Sequence, residues 1–168
     1  MIDFMIPSTP RDRLHARIAS RKQDTLGHVL TRLSRLFHEH ALQAVHAAGF
    51  HDIRESWIGL LRHSDPDGIR SSVLAARLGV TRQAAGQLVS ELESHGYLER
   101  VPDPSDGRAK LVRMTDRGLA AWATGLDALA AMQDDLAAEL GSATLTTLHT
   151  HGAALLDALE RRSDHTAA

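Results

Sequence analysis

The chain has 168 residues and no cysteine, and its 21 acidic residues against 19 basic ones give a formal net charge of −2. That length suits one domain, or a domain with extensions, and is enough to bury a sizeable core. Without cysteine there can be no disulfide, thiolate metal site or thiol redox switch. With no long apolar run and no signal-peptide pattern, a soluble cytoplasmic protein without a membrane partner is expected.

Residues 1–22 carry Pro7 and Pro10, read as breaks, and a basic run of Arg11, Arg13, Arg17, Arg21 and Lys22. A basic, flexible leader is expected there, with an arm that meets phosphates or folds over another subunit as the alternative. A helix is predicted over residues 24–48, with Leu26, Val29, Leu30, Leu33, Leu36 and Phe37 on one stripe and Gly49 as the stop. Beyond Phe37 its apolar residues are smaller (Ala41, Ala44, Val45, Ala48), as where another helix packs closely. A second helix over residues 52–62 carries Ile53, Trp57, Ile58, Leu60 and Leu61 and ends before the loop at 64–68.

The most informative stretch is 69–115, read as helix, tight turn, helix and two-stranded ribbon. Ser71 or Ser72 is the expected cap of the first helix, which buries Leu74, Ala75 and Leu78. Gly79 supplies the turn and Thr81 caps the next helix. That helix has a core stripe of Ala85, Leu88, Val89 and Leu92, and Gly96 ends it. Its opposite face carries Gln83, Gly86, Gln87, Ser90 and Ser94, with Glu91 and Glu93 on the flanks. Short polar residues that donate and accept suit base edges in a major groove, glutamine suiting adenine especially. Arg82 starts the helix, placed for a phosphate or a guanine. Strands are predicted at 97–102 and 109–115 around the turn Pro104-Ser105-Asp106-Gly107, with Arg108 past the tip and Lys110 and Arg113 on the return. A helix over 116–140 repeats leucine from Leu119 through Leu126 to Leu140. Gly141 breaks it, and a last helix, capped by Ser142, runs to about 162. The alanine-rich spacing of these two helices favours close pairing, here with another chain.

The run LAARLGVTRQAAGQLVSELESHGYLERVPDPSDGRAKLVRMTDRG resembles the winged-helix core of the MarR (multiple-antibiotic-resistance regulator) family. The L-A start, the G-V-T turn, the D-P-x-D-G-R wing and the M-T-D-R-G exit match together, in order and at the family's spacing, and with the flanking helices the likeness extends over roughly residues 24–162. The resemblance implies a mainly α fold with a small β-wing, a winged helix-turn-helix between N- and C-terminal dimerisation helices. It further implies a homodimeric regulator of transcription, often a repressor, that binds a palindromic operator in double-stranded DNA and responds to a small, often aromatic or phenolic, effector. Residues 51–118 would be the DNA-binding region, 23–50 and 141–162 the dimerisation region, 119–140 a connecting helix and 163–168 a disordered tail. Ile69 and Arg70 would add a third strand. The expected DNA contacts are Arg70, Thr81, Arg82, Gln83, Gly86, Gln87, Ser90, Arg108 and Lys110. Phe37, His40 and Trp57 are the expected pocket, the alternative being that Phe37 and Trp57 are core and His40 solvated. The chain departs from the family at Gln87, where many members are basic.

Other classes have weaker support. Eleven histidines invite a metal-responsive reading, but no two lie three or four apart, the spacing that stacks ligands on a helix. Nothing marks a nucleophilic set, so no enzyme, cofactor or metal site is expected. A winged-helix interaction module without DNA binding is the remaining alternative, kept open by Gln87 and the negative charge.

Overall fold

The computed structural model of the protein describes residues 9–65 and 67–166, with the backbone alone at 20–24 and 163–166. The chain divides into two compact units, residues 1–40 and 41–168.

In the first unit, helix α1 (Pro10–Asp24) replaces most of the expected flexible leader. Pro10 starts this helix rather than breaking it, because at the first helical position the missing N–H has no partner to lose. Thr9 and Asp12 complete a capping box: the Asp12 amide donates to Thr9 Oγ1 at 3.1 Å, and the Asp12 carboxylate accepts from the Thr9 amide at 3.1 Å. The part of the leader at 1–8 lies outside the described residues. Thr25 is extended and separates α1 from α2 (Leu26–Ala47). Along the first half of α2 the expected leucine stripe is present but uncovered, with Leu26, Val29, Leu30, Leu33 and Leu36 all 43–58% exposed.

The second unit begins with the end of α2 and contains α3 (Glu55–His63), β1 (Ile69–Arg70), α4 (Ser71–Leu78), α5 (Arg82–Ser94), β2 (Leu98–Asp103), β3 (Asp106–Met114), α6 (Asp116–Leu140) and α7 (Ser142–Thr166). The strands form one antiparallel sheet in the order β1-β3-β2. Ile69 faces Val112 and Leu98 faces Met114, while a bulge at Pro102/Asp103 brings Asp103 opposite Asp106 at the tip. The fold is thus mainly helical with a small β-wing, and the expected third strand is present. Trp57, Leu60, Leu74, Val89, Leu92, Tyr97 and Val112 are wholly buried in its core.

Local sequence explains the turns. Gly79 takes φ 65° after α4, a left-handed position that costs glycine nothing, and its amide returns to the last turn of the helix. Thr81 then caps α5, its hydroxyl accepting from the Ala84 amide at 3.2 Å. The predicted serine cap of α4 is not formed. The helix starts at Ser71 itself, with Arg70 before it and no side-chain cap bond.

Two differences concern the last helices. On α6 the buried residues are Gly118, Ala121 and Gly125, whereas Leu119, Leu126 and Leu140 are 40–50% exposed. Gly125 shows why: a Cβ there would stand 3.4 Å from Val45 Cγ2, so small residues admit the end of α2. Helix α7 begins at Ser142, which is therefore not its cap, and continues to Thr166, through most of the expected disordered tail; residues 167–168 lie outside the description. Among the described residues no helix is long and apolar enough to cross a membrane.

Candidate nucleic-acid interface

Helix α5 is positioned by two glutamates that turn away from its outward face. Glu91 accepts from Arg54 Nη1 at 2.5 Å and from Trp57 Nε1 at 3.2 Å, and the Arg54 guanidinium lies 5.2 Å from the Trp57 ring centroid. Glu93 pairs with Arg100 of β2, whose Nη2 also donates to Ser90 Oγ at 3.0 Å. Both flanking acids are thereby neutralised. The outward face keeps Gln83, Gln87 and Ser90 exposed. At Gly86 a Cβ would meet no atom within 4 Å. Packing among the described residues therefore does not require a glycine there, although one costs a helix about 1 kcal/mol relative to alanine.

The basic residues of the winged region sort into two groups. Arg70, Arg100 and Arg113 are held in ion pairs with Asp103, Glu93 and Glu99, and Arg77 donates to the His63 carbonyl at 3.3 Å. Arg82, Arg108 and Lys110 are exposed and form no ion pair among the described residues. These three cations sit at the start of α5 and on the wing, on either side of the polar face in sequence.

The wing is braced from within. Asp103 is buried, and its carboxylate accepts from the Ser105 hydroxyl at 2.6 Å, the Ser105 amide at 2.8 Å and Arg70 Nε at 2.8 Å. These bonds, the two from Ser105 foremost, hold its pKa down to about 2. Arg70 also lies 3.6 Å from Asp106, so its guanidinium ties the root of the wing to its tip, a role the sequence reading did not anticipate. Asp106 steadies the tip by accepting from the Arg108 amide at 3.1 Å, leaving the Arg108 side chain outward.

The M-T-D-R-G exit now has a physical reading. The Thr115 hydroxyl donates to the Gly96 carbonyl at 2.6 Å and accepts from the Gly118 amide at 3.1 Å, capping α6 and closing the ribbon together. Arg117 donates to Asp52 at 3.0 Å and to the Tyr97 hydroxyl at 2.9 Å, and its guanidinium lies 4.7 Å from the Tyr97 ring centroid. Tyr97, wholly buried, donates to Asp52 at 2.5 Å. That bond to the charged carboxylate is the main cause of the lowered Asp52 pKa, while burial first, and then the carboxylate, raise that of Tyr97. Gly118 lets α6 touch the Tyr97 backbone, since a Cβ there would fall 2.1 Å from the Tyr97 carbonyl oxygen.

The expected ligand pocket fares differently. Trp57 is wholly buried with its N–H committed to Glu91, whereas Phe37 is half-buried and His40 exposed. A groove along the first unit is lined instead by His28, Val29, Arg32, Leu33 and Leu36. Among the described residues no three histidines or carboxylates are grouped to hold a metal. The positioning pairs Arg54–Glu91 and Arg100–Glu93 were not read from the sequence, because their partners lie on different elements and no periodicity links them.

A helix with an exposed polar face after a tight turn, followed by a braced β-ribbon with exposed cations, defines a winged helix-turn-helix. A family model described as "MarR family" matches residues 56–109. The transcriptional activatory protein BadR of Rhodopseudomonas palustris is 32% identical over 94 residues, 55% of this chain and 54% of that protein. The alignment therefore spans about half the length of that curated relative. Among solved structures, the transcriptional repressor CouR bound to a 23-mer DNA duplex is similar at 25% identity and TM-score 0.60, covering 79% of this chain and 93% of that one. PcaV of Streptomyces coelicolor, in complex with its natural ligand, is similar at 25% identity and TM-score 0.53, covering 85% and 94%. Residues 56–109 thus match the MarR family, and the fold around them is that of the similar DNA-bound CouR.

Proposed function

We propose that this chain is a sequence-specific DNA-binding regulator, acting in the cytoplasm as a homodimer on a pseudo-palindromic operator. The observation that carries the reading is the outward face of α5: exposed Gln83, Gln87 and Ser90 around a glycine that packing does not require, with both flanking glutamates paired away. Residues 51–118 are the DNA-reading region, in which α5 enters the major groove and the wing follows the adjacent backbone. Arg82, Arg108 and Lys110, free of ion pairs among the described residues, supply the phosphate contacts. Thr81 caps α5 and brings the helix start to the backbone. Arg70 acts by bracing the wing rather than as a free contact. The regions 23–50 and 141–162 pair with a second copy, joined to the reading region by 119–140, and set two α5 helices about 34 Å apart on one face of the duplex. Uncovered leucines on α2 and α7 support that assembly.

The same reading takes repression by operator occupancy as the mode of action, with activation as the other outcome because the curated relative is an activatory protein. A small aromatic or phenolic effector would act by preferring a dimer with the wrong helix separation, and could lower operator affinity by no more than that preference. Phe37 and His40 remain its proposed contacts. Trp57 would carry the effect rather than touch the ligand, since its N–H bonds Glu91 on α5.

A mobility-shift assay against the DNA upstream of its own gene tests the reading, and a reporter on that DNA gives the sign of regulation. Arg108→Ala should weaken binding to specific and unrelated duplexes alike and lower the salt slope by about one unit. Gln83→Ala and Gln87→Ala should instead lose ~1–3 kcal/mol on the operator alone. A folded wild-type chain that binds no duplex at low salt would favour the interaction-module alternative.

A further inference from the structure

Arg100 does more than neutralise Glu93. Its Nη1 pairs with the Glu93 carboxylate while its Nη2 donates to Ser90 Oγ at 3.0 Å. A serine hydroxyl has one proton to donate and two lone pairs to accept with. Arginine has no lone pair to offer, so in this contact Ser90 accepts from Arg100 on one lone pair and keeps its proton. Among the described residues this is the one hydrogen bond the Ser90 side chain makes. Helical hydroxyls commonly donate to the carbonyl one turn back, as Thr124, Thr146 and Thr150 do here. Ser90 makes no such bond to Gly86, and its side chain is exposed on the same face as Gln83 and Gln87.

We propose that Arg100, held by Glu93, is a specificity-determining positioning residue that presents Ser90 as a hydrogen-bond donor, so that this point of the reading face selects an acceptor on a base edge. The inference rests on the reading of α5 as the DNA-reading helix. In the major groove guanine offers O6 and N7, thymine O4 and adenine N7 as acceptors, whereas cytosine presents only its amino donor. A serine free to rotate would accept from cytosine as readily as it donates to guanine. A guanidinium on one lone pair polarises the hydroxyl, strengthening it as a donor and weakening its second lone pair as an acceptor, so Ser90 favours an acceptor of guanine, thymine or adenine over the cytosine amino group. The glutamines do not share this bias, because each amide both donates and accepts.

The test uses the full chain and a pool of random duplexes. Selection with the wild type defines the half-site, and the position whose preference Ser90→Ala erases is the one Ser90 reads. Affinities for all four base pairs at that position are then measured at matched salt for wild type, Ser90→Ala, Arg100→Met and the double variant. The wild type should prefer guanine, thymine or adenine over cytosine on the order of fivefold, the size of one hydrogen bond. Both single variants should flatten that preference to within about twofold, and the double variant should be no flatter than Ser90→Ala. The salt slope of Arg100→Met should equal that of the wild type. If Arg100→Met fails to fold by circular dichroism, Glu93→Gln carries the test, since it loosens Arg100 without altering Ser90, and it should flatten the same position.

The proposal is overturned by a preference for cytosine at that position, by an unchanged profile in folded Arg100→Met, or by a uniform loss of affinity with a lower salt slope, which would make Arg100 a phosphate contact. A Ser90→Ala profile identical to wild type at every position also overturns it while leaving the DNA reading intact. A wild type that selects no sequence brings down the DNA reading itself.

Discussion

The winged region and the long helices use their apolar residues in opposite ways. In the former, Trp57, Leu60, Leu74, Leu92, Tyr97 and Val112 close completely on one another. Along the first half of α2 and along α7, Leu26, Leu30, Leu33, Leu148, Leu156 and Leu159 stay 43–60% exposed in the single chain. Burying one such side chain fully is worth about 1.5–3 kcal/mol, so a row left in water forgoes much of the stability available to it. The winged region thus closes a core of its own chain, which Val45 of α2 and Ala121 of α6 complete. The long helices leave apolar rows uncovered, and a second copy of the chain is the occupant we propose.

The contrast is sharpest where the winged core meets α6. Gly118→Ala should produce the largest change, a loss of about 3 kcal/mol or more in unfolding free energy, because its Cβ would stand 2.1 Å from the Tyr97 carbonyl oxygen. Chemical denaturation followed by Trp57 fluorescence reads this directly. A variant within about 1 kcal/mol of wild type would mean that the contact relaxes freely and that the core is less closed than described.

On the other side, Leu33→Asp combined with Leu148→Asp should leave the winged core folded and raise the dimer dissociation constant by roughly a hundredfold or more, since an unpaired carboxylate is costly to bury. Sedimentation across a concentration series gives that constant, and far-ultraviolet circular dichroism reports the fold. An undisturbed dimer would show that these leucines are simply solvated, and the contrast between the two regions would fail.

The smallest effect belongs to the wing. The Asp103 carboxyl is depressed from 3.8 to about 2, so its contribution to stability is fully present above 3.8 and is lost as pH falls through that value towards about 2. Asp103→Asn should remove this part of the acid dependence and speed amide exchange at Ser105 and Arg108, with little change in the stability of the helices. Equal acid sensitivity in both proteins would remove Asp103 as the brace of the wing.

Much of the winged region was legible in residue order because its signals are local. The Gly79 turn and the Thr81 cap depend on backbone chemistry within a few positions, and both formed; the turn expected over Pro104-Ser105-Asp106-Gly107 is shorter, since β3 already begins at Asp106. Pro10 shows the limit of such rules: one residue type both breaks and starts helices, and the choice lay with Thr9 and Asp12 beside it. The leucines of α6 show another limit. Periodicity places residues on a common face, but it does not say whether that face meets its own chain, and here the glycine-alanine face did so while Leu119 and Leu126 remained outside.

The order of elements, the turns between them and the polar, non-acidic character of the outward face of α5 follow from residue order, because propensity, capping and alternation act over a few neighbours. Tertiary contacts alone separated the arginines that brace from those left free. Arg70, Arg100 and Arg113 look like Arg82 and Arg108 in the sequence, and only the approach of Asp103, Glu93 and Glu99 from distant positions or neighbouring strands decided their fate. Arg54 and Trp57 reach Glu91 across 37 and 34 residues of chain, a distance no periodicity can bridge. Charge pairing depends on proximity in space, and proximity across such separations exists only once the core has closed.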